Sequence, residues 1–93
     1  MHGHPSNGYR SGSRRVEIDG DPGLMARLAE PLQRALAETR RVYRIRVESV
    51  GRSGETMVAV DGGKGRLPLL FDPADEAGQV ASVVRRAIER FAL

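Results

Sequence analysis

The stretch from residue 41 to residue 72, "RVYRIRVESVGRSGETMVAVDGGKGRLPLLFD", alternates apolar and polar residues in three runs separated by glycine-bearing breaks. Period-2 alternation belongs to strands with one buried face, because successive side chains on an extended backbone point to opposite sides. Tyr43, Ile45 and Val47 form one side of the first run, with Arg44, Arg46 and Glu48 on the other. "GRSG" then predicts a turn into "ETMVAVDGG", so the first two runs pair as a hairpin. In the third run Leu67, Leu69 and Phe71 share a face, and Pro68, which has no N–H for a ladder, places that strand at a sheet edge.

On either side of this meander the period changes to that of a helix. "DPGLMARLAEPLQRALAETR" opens with Asp21 as N-cap and Pro22 at the first helical position, followed by Leu24, Leu28, Leu32, Ala35 and Leu36 at helical spacing. Pro31 lies within it and predicts a kink or short break, since it cannot bond the carbonyl of Arg27. After the meander, Asp72 reads as the cap of a second helix with Pro73 at its first position. Ala77, Val80, Val84, Ala87, Ile88 and Phe91 form its apolar stripe, opposite Arg85, Arg86, Glu89 and Arg90. "RRVEIDG" ahead of the first helix shows the alternation of a further short strand, with Val16 and Ile18 on one side.

The order is (β)-α-β-β-β-α, and since every element is apolar on one side only, both helices pack on one face of an antiparallel-rich sheet. The fold class is α+β, in two layers. A strand before the first helix would return through that helix parallel to another strand of the sheet. The opposite sheet face then carries Arg15, Arg44, Arg46 and Arg66 beside Leu70 and either Met57 or Val58. The 93 residues make one domain over residues 14–93, preceded by a basic arm over residues 1–13 that is polar, Gly/Ser/Asn-rich and expected to be disordered.

Charge is distributed unevenly along the chain. Arg10, Arg14 and Arg15 give the first fifteen residues +3, whereas residues 16–93 hold 12 basic and 12 acidic residues and sum to zero. The overall +3 is therefore a property of the arm and does not describe the domain. Arginine supplies 14 of the 15 basic residues, a bias that composition explains more readily than a selected guanidinium surface. No run of about 18 apolar residues could span a membrane, and the polar start has no signal-peptide apolar core; the expected location is cytoplasmic.

Several chemistries lack their residues. Without cysteine there is no disulfide, thiolate nucleophile or cysteine-bound metal. The two histidines are His2 and His4, both in the arm, so the domain holds no imidazole to serve Ser49, Ser53 or Ser82 as a base. Two histidines on an arm supply too few fixed ligands for a metal centre, and neither a metal nor a cofactor is expected. "DGGKGRLPLL" holds a glycine-flanked Lys64, but a phosphate loop needs Ser or Thr after the lysine and a helix after the loop. Here Gly65 and a strand follow, so the segment reads as a hairpin connection. Asp72, Asp75 and Glu76 read as capping and first-turn charges, not as an acid–base pair. Enzymatic activity is not expected.

Two functions remain. The first is a small non-catalytic protein-interaction module, self-associating through its outer sheet face or edge strand, with Arg44, Arg46, Arg66, Pro68 and Leu70 as the interaction surface. The alternative is a nucleic-acid-binding domain that uses the basic arm and the arginine-bearing strand "TRRVYRIRVE", with Arg10, Arg14, Arg15, Arg41 and Lys64 as candidate contacts. The α-β-β-β-α order is similar to that of double-stranded-RNA-binding domains and of the Alu-binding proteins of the signal recognition particle, a likeness of element order alone. A double-stranded-RNA-binding domain opens its last helix on lysines that grip phosphates. This chain opens there on "DPADEAGQ", whose carboxylates repel them. A single-strand-reading sheet needs outward aromatics, and Tyr43 is expected inward.

Overall fold

A computed structural model describes residues 9–12, 16–37, 39 and 42–91. The elements follow the chain as β1 (Tyr9–Gly12), β2 (Val16–Gly20), α1 (Pro22–Ala35), β3 (Tyr43–Val50), β4 (Glu55–Asp61), β5 (Arg66–Phe71) and α2 (Ala77–Phe91). The strands form one sheet in the order β1-β2-β3-β4-β5. β2 runs parallel to β3, as a strand returning through α1 must, and the other neighbours are antiparallel. This is the α+β architecture expected of the alternation pattern, with one more strand at its beginning.

That additional strand, β1, lies within the stretch assigned to the arm. Its backbone pairs with β2, Arg10 standing opposite Asp19 in the register. Pairing of this kind needs no apolar alternation, because main-chain hydrogen bonds alone can add a strand to an open edge. The rest of the arm, residues 1–8 and 13, lies outside the described residues.

One face of the sheet is buried. Val16, Ile18, Tyr43, Ile45, Val47, Val58, Val60 and Phe71 point to the same side and meet Met25, Leu28, Leu32 and Leu36 from and beyond α1 and Val80, Ala81, Val84 and Ile88 from α2. The register accounts for the common facing: Val16 pairs with Tyr43, Ile18 with Ile45, Val47 with Val58, and Val58 with Leu69. Each fully buried Val, Leu or Ile contributes about 1.5–3 kcal/mol of hydrophobic free energy. The core therefore carries most of the stability of a chain this short.

Local signals set the connections. Asp21 caps α1 as expected, its Oδ1 accepting the Leu24 N–H at 3.1 Å. Gly20 precedes it at φ 139°, where a Cβ would collide with the Val47 carbonyl. That carbonyl in turn accepts the Asp21 N–H at 2.9 Å, so the strand-to-helix turn is pinned against β3. Pro31 does not interrupt α1, which continues to Ala35.

Two expectations at α2 are corrected. Asp72 does not cap the helix. Its Oδ1 accepts the Ala74 N–H at 2.8 Å, and its own N–H donates to Asp75 Oδ2 at 3.1 Å. These side chains hold a separate turn, in competition with helix initiation, and the helix starts only at Ala77, with the Glu76 carbonyl accepting the Val80 N–H. Arg27 of α1 donates to the Asp75 carbonyl at 3.2 Å and ties this turn to the first helix. Phe91, assigned to the apolar stripe, is 58% exposed: it stands at the last residue of α2, past Ile88, the last buried position on the helix. Among the described residues, no helix is long and apolar enough to cross a membrane.

Candidate functional site

The alternate residues of the strands form the outer sheet face, which the helices leave uncovered. Across the first row of the register stand Glu17, Arg44, Asp61 and Arg66, one from each of β2 to β5. The next row contains Asp19, Arg46, Ala59 and Pro68, and the next Glu48, Met57 and Leu70. Of the two candidates for the outer apolar residue on β4, Met57 is the one that faces outward, since Val58 is fully buried. All five residues of the expected interaction surface, Arg44, Arg46, Arg66, Pro68 and Leu70, thus lie on one face.

The two ends of this face differ in chemistry. At the β2–β3 end the charges are mutually engaged: Arg46 approaches Glu48 at 3.3 Å and Asp19 at 3.8 Å, and Arg44 approaches Glu17 at 4.0 Å. These side chains remain well exposed, and such pairs contribute at most about 1 kcal/mol each. They do, however, cancel the positive character that Arg44 and Arg46 would otherwise lend the face. At the β4–β5 end, Arg66 has no carboxylate partner among the described residues. Beside it lie Pro68, half-buried Met57 and Leu70, the last 61% exposed.

Between the two ends the face forms a shallow depression of about 290 Å³, lined by Glu17, Asp19, Arg44, Arg46, Asp61 and Arg66, with Ala59 in its wall. Ala59 is only 6% exposed although it faces outward. Its small side chain lies between Arg46 and Pro68 in the register, where longer neighbours shade it.

Lys64 is in the loop joining β4 to β5. That loop is a hairpin connection: the Gly62 N–H donates to the Gly65 carbonyl at 3.2 Å, the Gly63 N–H donates to Asp61 Oδ1 at 2.9 Å, and Gly63 adopts φ 88°. A strand follows it, so no helix terminus adjoins the loop. Of the other expected nucleic-acid contacts, Arg10 is on β1, while Arg14, Arg15 and Arg41 lie outside the described residues. Among the described residues, no group of three His, Cys, Asp or Glu side chains could hold a metal ion.

Glu17, Asp19 and Asp61 are not singled out by the sequence pattern, yet they determine the electrostatics of this face. Their polar positions on alternating strands are visible in the chain; that Glu17 meets Arg44 and Asp19 meets Arg46 depends on register between segments distant in sequence. Comparison with known proteins finds no protein-family model, characterised protein or solved structure that matches the chain.

Proposed function

We propose that the chain is a small, non-catalytic protein-interaction module that self-associates through the outer face of its sheet or through edge strand β5. The observation that carries this reading is the β4–β5 corner, where exposed Leu70 lies beside Met57, Pro68 and an Arg66 that lacks an ionic partner among the described residues. Exposed apolar side chains gathered next to an open strand edge favour burial against another protein surface.

The nucleic-acid reading is less well supported. A phosphate approaching Arg44 or Arg46 would compete with Glu17, Asp19 and Glu48 for the guanidinium groups. The domain's balanced charge also supplies no sustained basic field for the counterion-release contribution that drives such binding.

Sedimentation of the whole chain over a wide concentration range, run beside a salt-dependent titration with mixed RNA and DNA, tests the proposal. Mass that rises with concentration, without salt-sensitive nucleic-acid binding, is the expected result. A strictly monomeric chain that binds nucleic acid less tightly as salt rises would replace this reading with the alternative.

A further inference from the structure

The proposed self-association leaves open whether two copies meet at the strand edge or at the sheet face. The β4–β5 hairpin bears on that choice. Gly62 and Gly65 form a hydrogen-bonded pair at the hairpin's end. Bonded and non-bonded pairs alternate along an antiparallel ladder, so Leu67·Val60 and Leu69·Val58 are bonded, and Arg66·Asp61, Pro68·Ala59 and Leu70·Met57 are not. The backbone groups of Arg66, Pro68 and Leu70 therefore point to the free edge of the sheet. Pro68 occupies the middle of that edge and has no N–H to offer, a recognised way of blunting strand addition.

The face has the opposite character, because it is complementary to itself. Consider a two-fold axis lying between two such faces, parallel to the strands and midway between β4 and β5. Each β4 then lies over the β5 of the other copy. Arg66 faces the partner's Asp61, Pro68 faces the partner's Ala59, and Leu70 faces the partner's Met57, each contact occurring twice. Sheets packed face to face keep their strands within about 30° of alignment at about 10 Å separation, a gap that arginine and aspartate side chains together can cross. The arrangement covers Arg66, which has no carboxylate partner among the described residues, and the exposed Leu70. It leaves Arg44 and Arg46, which already have carboxylate partners, beyond the partner's β5 edge.

Resting on the self-association proposed above, we infer that two copies of this chain pair through the outer faces of β4 and β5 about such a two-fold axis, with Arg66 of each copy opposite Asp61 of the other.

Charge reversal tests the arrangement. R66D would set aspartate against aspartate across the interface, and D61R would set arginine against arginine. Each variant alone should dimerise at least about tenfold more weakly than the unaltered chain, since like charges brought together at an interface cost several kcal/mol. An equimolar mixture of the two should recover dimers, because both cross-interface contacts then pair opposite charges. Circular dichroism checks that each variant folds. Asp61 also accepts the Gly63 N–H, so if D61R does not fold, Asp61→Asn, which keeps that acceptor oxygen, takes its place and should weaken dimerisation on its own. Variants that associate as tightly as the unaltered chain, or a mixture with no recovery, would overturn the two-fold arrangement while leaving self-association standing. An unaltered chain that stays monomeric into the millimolar range would overturn both.

Discussion

The two faces of the sheet are built from alternate residues of the same strands and differ in almost every property. The inner face is mostly aliphatic, with Tyr43, Thr56 and Phe71 as its buried exceptions, and its central residues Ile18, Ile45, Val47, Val58 and Val60 are almost entirely withdrawn from water. The outer face carries opposed charges at the β2–β3 end and an apolar corner at the β4–β5 end. A one-residue slip of register would exchange the two sets completely. Stability and recognition can therefore be separated residue by residue: neighbours such as Ile45 and Arg46 should respond to substitution on different scales and in different measurements.

The largest expected loss is on the inner face. Ile45→Ala should cost roughly 2–5 kcal/mol in denaturant unfolding, since its side chain is almost fully buried between sheet and helices. A loss no larger than that of a surface change would break the assignment of faces. Next is Gly20→Ala, which drives a Cβ against the Val47 carbonyl at a backbone conformation side chains rarely adopt. We expect a loss of roughly 1–3 kcal/mol from that strain, read as a lower melting midpoint. Asp21→Ala removes the cap on the Leu24 N–H and should cost about 1 kcal/mol; Asp21→Asn, which keeps an acceptor oxygen, should recover most of it. The smallest effect belongs to the outer face. Arg46→Ala should stay within about 0.5 kcal/mol, because its two ion pairs are solvent-exposed. Parity between Ile45→Ala and Arg46→Ala would erase the distinction between the faces.

Much of this division is legible in the spacing of residues along the chain. Period-2 alternation identifies Tyr43, Ile45 and Val47 as inward and Arg44 and Arg46 as outward; Pro68 marks the edge, and Asp21-Pro22 marks the start of α1. These are local signals, carried by spacing and by side chains that act on their own backbone. β1 is not legible in this way, because its pairing is made by main-chain groups against another segment and leaves no side-chain pattern. The start of α2 is ambiguous in sequence because Asp72 and Asp75 suit a turn as well as they suit a cap. At the candidate surface, alternation places all five interaction residues but not the partners of the arginines. Glu17 and Asp19 reach Arg44 and Arg46 only through the parallel pairing of β2 with β3, a contact between segments separated by the whole of α1.

Sedimentation equilibrium of the unaltered chain beside Leu70→Glu decides whether the β4–β5 corner of the outer face is a contact surface between copies. Leu70 is exposed in the single chain, so the substitution should leave folding intact, whereas a carboxylate buried at an apolar contact without a partner is costly. We expect a mass that rises from the 10.2 kDa monomer toward twice that value with concentration, and a Leu70→Glu chain that is folded and remains at the monomer mass. Equal association by both chains, or monomer throughout for both, would refute a contact at this corner.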